Sequence, residues 1–275
     1  MEELELIKEI DRIIKLLRNF RKNIKDYENY REDLFNNLYK INDNIRKYKK
    51  SLEELKNNSE GLIEHLYKRR DLIKEQYEKD LGDFKRVFGN NLEKQLNEYG
   101  LSLKGHYPEL RVSYFTLELN FENMIAKLWF GPKQEIIFNN IPLSVPNVLD
   151  KILLARNNLG SKLSEKDLLI LFKRSFEEIY KNERTRKIPI ISFYNKLCEI
   201  MADSLSNTNK KSKYSRADFS YDLYRLRKCK GFKLTIAARS YTKKKSDFIW
   251  VPNNEEGSGD RFSHIEMLKE DFDGF

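Results

Sequence analysis

The stretch YSRADFSYDLYRLRKCKGFKLTI, Tyr214–Ile236, contains a helix start, a helix stop and a strand in one run. Ser215 is followed three residues later by Asp218, the spacing at which a hydroxyl and a carboxylate satisfy the free N–H groups of a first helical turn. Phe219, Leu223 and Leu226 then recur at helical spacing, and Gly231 supplies a stop. From Lys233 to Arg239 the period changes to two, which predicts a strand.

Upstream, Ser164-Glu165-Lys166-Asp167 opens an amphipathic helix with Leu168, Leu171, Phe172, Ser175 and Ile179 along one side. Lys187-Ile188-Pro189-Ile190 reads as a short extended piece, Ser192–Leu205 as a second helix, and 206–213 as a polar, basic loop. Downstream, Asp247–Val251 alternates as a second strand, separated from the first by Ser240-Tyr241-Thr242-Lys243-Lys244-Lys245. Helix, short strand, helix, helix, strand, basic turn, strand is an element order that resembles the winged helix-turn-helix superfamily over residues 164–251. The resemblance implies that Ser215–Lys228 corresponds to the recognition helix and Tyr241–Lys245 to the wing tip. It also implies that the module binds duplex DNA. The family's pattern is not matched throughout: the second element is short and holds a proline, and the loop 206–213 is longer than a tight turn.

Charge supports contact with an acidic partner. The 275-residue chain carries 52 Lys+Arg against 43 Asp+Glu, a net +9, but the excess is concentrated. Residues 184–251 hold 17 basic against 5 acidic residues, and residues 252–275 hold 2 against 7. Lys210, Lys211 and Lys213 precede the helix at Ser215, Arg225, Arg227 and Lys228 lie near its other end, and Lys243, Lys244 and Lys245 occupy the turn. Lysines position phosphate, so base edges would be read by Arg216, Ser220 or Tyr221. The competing reading is a solvated basic face on a module that docks proteins, a use winged helices also have.

Toward the N-terminus, apolar residues repeat with spacings of four and three: Leu6, Ile10, Ile13, Leu17, Phe20, Ile24, Tyr27, then Leu34, Leu38, Ile41, Ile45, Tyr48, Leu52 and Leu55, with Arg31 breaking the seam. That heptad predicts a long coiled coil for self-association or partner docking within residues 1–100. Leu62, Leu66 and Ile73 keep the phase, whereas Asn57-Asn58-Ser59-Glu60-Gly61 lowers helix propensity, so a continuous helix and a hairpin turning there both fit.

Between these regions, residues 105–160 predict a small α+β module. Phe115, Leu117, Leu119 and Phe121 alternate with polar residues, Met124–Phe130 and Glu135–Phe138 follow as strands, and a helix begins after Pro146. At the end, 252–275 reads as an acidic tail in which Ser263-His264-Ile265-Glu266 opens a short helix carrying Phe262, Ile265, Leu268 and Phe272.

The expected fold class is α+β, mostly α, with a long N-terminal coiled coil, a small antiparallel β-meander and a C-terminal winged helix. No phosphate-binding glycine loop, GxSxG or HExxH occurs, and Glu118, Glu122 and Lys127 are better read as strand residues facing solvent than as a nuclease centre. Cys198 and Cys229 form no CxxC pair, and His65, His106 and His264 lie far apart, so neither a catalytic centre, a cofactor nor a metal is expected. The acidic start and the lack of a long apolar run predict a cytoplasmic protein without a membrane span. The expected partners are duplex DNA and, through the coil, a second copy or another protein. By fold-level analogy that protein could be an SMC-type ATPase of DNA maintenance or phage defence.

Overall fold

The computed structural model describes residues 3–56, 60–205, 214–227, 231–238 and 244–268. They form two compact units. The first comprises Met1–Leu110, Glu118–Lys127 and Asn139–Lys151, and the second Arg111–Leu117, Leu128–Phe138 and Ile152–Phe275.

Helices α1 (Glu3–Arg31), α2 (Leu34–Lys56) and α3 (Glu60–Asn97) build the first unit, with α2 packed against both of the others. The expected long coiled coil is not formed, because the seam is consumed within the chain. Where Arg31 would place a charge on the buried stripe, the chain turns through Glu32 and Asp33. Asp33 then starts α2, accepting from Asn37 N at 3.1 Å with its carbonyl and from Asn36 Nδ2 at 2.9 Å with its carboxylate.

Of the seam residues, Leu38, Ile41, Leu52 and Leu55 are at most 1% exposed, and Phe20 meets Tyr48 edge-on at 4.9 Å. Leu17, Ile24, Leu34 and Ile45 are half-buried, and Leu16 rather than Leu17 takes the buried position on α1. Each such fully buried Leu or Ile stabilises the pairing by about 1.5–3 kcal/mol. Buried Asn44 donates from Nδ2 to the Asn23 carbonyl at 3.0 Å, which fixes the register of α1 on α2. On the other flank Phe35 stacks on Phe84 at 6.1 Å, and Phe84 contacts Phe88 at 5.1 Å.

The middle module is a five-stranded sheet in sequence order, β1 (Leu103–His106), β2 (Glu109–Val112), β3 (Phe115–Asn120), β4 (Ile125–Phe130) and β5 (Glu135–Pro142), followed by α4 (Val145–Asn158). The expected three-stranded meander is therefore extended by two strands. β1 and β2 escape a periodicity reading because each has four residues and Gly105 interrupts the first.

The second unit contains α5 (Glu165–Glu183), β6 (Lys187–Pro189), α6 (Ile190–Leu205), α7 (Arg216–Leu226), β7 (Phe232–Ile236), a 3-10 turn (Lys245–Asp247), β8 (Ile249–Pro252) and β9 (Gly259–Met267). The strands form a four-stranded antiparallel sheet in the order β6-β9-β7, with β8 also paired to β9. Phe172, Phe193, Phe219, Leu223, Val251 and Ile265 fill the core beneath it.

Residues 252–275 are thus not a tail as far as Met267, and the expected helix at Ser263 is part of the central strand of this sheet. Ile265 and Met267 are buried while His264 and Glu266 are half-exposed, the alternation of a strand. A register shift hides that alternation: Thr235 faces His264 but Ile236 faces Phe262, leaving Ser263 as an extra, buried residue.

No helix among the described residues is long and apolar enough to cross a membrane, and no cluster of His, Cys, Asp or Glu among them could hold a metal ion.

Candidate nucleic-acid interface

Helix α7 starts where the sequence places it. Ser215 N donates to Asp218 Oδ2 at 2.9 Å and Asp218 N donates to Ser215 Oγ at 3.1 Å, a complete capping box. These bonds, together with the Asp218 carboxylate, occupy the end of the helix that a phosphate would need.

The helix is also covered. Ala217, Phe219, Ser220, Asp222, Leu223 and Leu226 are buried and its other five residues are half-buried, so no side chain of α7 is fully presented to solvent. Ser220 is 2% exposed and its hydroxyl donates to the Trp250 carbonyl. The Tyr221 ring packs against Tyr114 at 5.5 Å. Burial pushes the Tyr221 hydroxyl above its ordinary pKa. Ser220 is thus buried, and Tyr221 is half-buried.

A buried carboxylate explains why the helix is held this way. Asp222, 0% exposed, accepts from Ser161 N, from the Tyr214 hydroxyl and from Arg225 Nη1, each at 2.9 Å. Asp218 accepts from Gly160 N at 2.9 Å. Burial, reinforced by the Asp222 charge, holds the Tyr214 hydroxyl protonated well above its ordinary range. Arg225 donates further to the Leu163 carbonyl at 2.7 Å, so its charge serves the fold. Arg227 is exposed, lies over the Phe262 ring at 5.7 Å and donates to Asn253 Oδ1.

Arg216 is engaged within the protein. Its guanidinium donates to the Phe248 carbonyl at 2.7 Å and forms an ion pair with Glu135 at 3.3 Å. That bond joins two residues far apart in sequence, each of which follows a basic stretch. Lys210, Lys211 and Lys213 run into Arg216, and Lys243, Lys244 and Lys245 run into Phe248. Lys213 and Lys245 each stand three positions before one of the two bonded residues. Lys244 is exposed and Lys245 opens the 3-10 turn. Lys210, Lys211, Lys213, Lys228 and Lys243 lie outside the described residues.

Neither a family model, nor a curated protein, nor a solved structure matches the chain. The site therefore stands on its own chemistry. Its anchoring residues Glu135, Phe248 and Trp250 carry no local mark in the sequence, because their roles come only from what the fold sets beside α7.

Proposed function

We propose that the second unit binds duplex DNA through phosphate contacts made by the two lysine segments at the Arg216–Phe248 junction. The observation that carries the reading is that bond: Arg216 and Phe248, which it joins, each follow a lysine-rich stretch of the sequence by three positions. Lysine is a flexible point charge, suited to releasing counterions from a phosphate backbone and poor at reading base edges. Binding by this surface has weak sequence preference.

The succession of α5, β6, α6 and α7 is that of the resemblance to winged helices, but the two expected wing strands, β7 and β8, each pair with β9. The covered α7 departs from a helix inserted in a groove, so in this reading the lysine segments that precede α7 and β8 make the contacts. Fluorescence anisotropy of the full chain on duplex DNA across a salt series tests this. The expected result is tight binding at low salt that falls steeply as salt rises.

A second reading is an interaction subunit that docks on a partner such as an SMC-type ATPase. It is favoured by the covered α7 and by Ile236, 67% exposed on β7 at the edge of the sheet. Absence of salt-dependent DNA binding would favour it.

A further inference from the structure

A polar cleft of about 340 Å³ belongs to the first unit, lined by Glu118 and Asn120 of β3, Asn123 of the following turn, Lys127 of β4, and Asn139 and Asn140 of β5. Its volume falls in the range of small-ligand sites. What distinguishes it is the state of its carboxamides. The Asn120 oxygen accepts from Asn123 N at 2.8 Å, the Asn123 oxygen accepts from Arg46 Nη2 at 2.8 Å, and the Asn139 oxygen accepts from Asn140 N at 3.1 Å. A carboxamide has one acceptor oxygen and two N–H donors, so with the oxygens engaged the capacity left is mainly donor.

Two charges act in the same direction. The Arg46 guanidinium polarises the Asn123 amide through its oxygen, and Lys127 adds an ammonium to the lining. Glu118, the carboxylate of the lining, is already engaged within the protein. N–H donors beside an ammonium are groups that an oxyanion can use.

We propose that this cleft binds a phosphate group, supplied either by a nucleic-acid phosphodiester or by a small phosphorylated molecule. Titration calorimetry of the full chain with inorganic phosphate and with a thymidine dinucleotide tests it. Asn120→Asp with Asn139→Asp keeps the oxygens that Asn123 N and Asn140 N use and replaces the N–H₂ donors with negative charge. Lys127→Met is the independent second variant, whose fold does not depend on those turns.

The expected result is binding with a Kd of about 1 mM or tighter and a loss of at least about tenfold in each variant. Phosphate binding without dinucleotide binding would identify the small-molecule source, and tighter dinucleotide binding the phosphodiester source. No heat from either probe at about 10 mM, or unchanged affinity in Lys127→Met, would overturn the proposal.

Discussion

Arg216 donates to the Phe248 carbonyl at 2.7 Å while pairing with Glu135 at 3.3 Å, so one guanidinium fixes both the start of α7 and the residue before β8. Arg216→Met removes the bond and leaves the Glu135 carboxylate without that partner. The expected cost is about 1–3 kcal/mol in urea unfolding. Under the proposed reading DNA affinity falls, while the salt slope is kept because every lysine is still present. A slope that drops with the affinity would make Arg216 itself a phosphate contact.

Asp222 predicts a larger effect. Its carboxylate is fully buried and three donors converge on it, so Asp222→Ala strands Tyr214, Arg225 and the Ser161 amide at once. Truncating one partner of a buried charged network costs about 3–5 kcal/mol. Asp222→Asn, which keeps an acceptor, costs less. Equal effects of the two substitutions in denaturant unfolding would contradict the network.

Two glycines give opposite expectations for the same substitution. Gly131 has φ +61°, and a Cβ there would lie 2.6 Å from Trp250 Cε3, against a ring that is itself buried. Gly131→Ala therefore destabilises by about 2 kcal/mol or more. Gly82 lies in α3, where a Cβ would meet no atom within 4 Å, and Gly82→Ala stabilises by about 0.5–1 kcal/mol. Thermal unfolding of the two variants separates the cases.

The caps at Ser164 and Ser215 are legible in the sequence because donor and acceptor lie three residues apart. The turn at Glu32–Asp33 is not, since it contains neither glycine nor proline and arises from α1 and α2 burying one another's stripe. β9 takes on the look of a capped helix because Ser263 interrupts the alternation that Ile265 and Met267 would otherwise show. At the candidate site the lysines are visible as composition. The burial of α7 is not, because Gly160, Ser161 and Trp250 reach it from remote parts of the chain.

The folded-back seam makes its own prediction. Leu38→Asp with Ile41→Asp places two carboxylates in the core of α2, at side chains that are at most 1% exposed. Helicity measured by circular dichroism falls, while the mass by light scattering stays that of the unsubstituted chain. Conversion of a dimer to a monomer would show that the seam pairs between chains.

The proposed phosphate contacts of the two lysine segments are tested most directly by the salt dependence of DNA binding in two triple variants. One replaces Lys210, Lys211 and Lys213 with alanine, and the other Lys243, Lys244 and Lys245. If both segments contact phosphate from one surface, each variant weakens binding on every duplex sequence and lowers the salt slope by about 0.9 for each phosphate no longer neutralised. Unchanged affinity and slope in both variants would contradict the account.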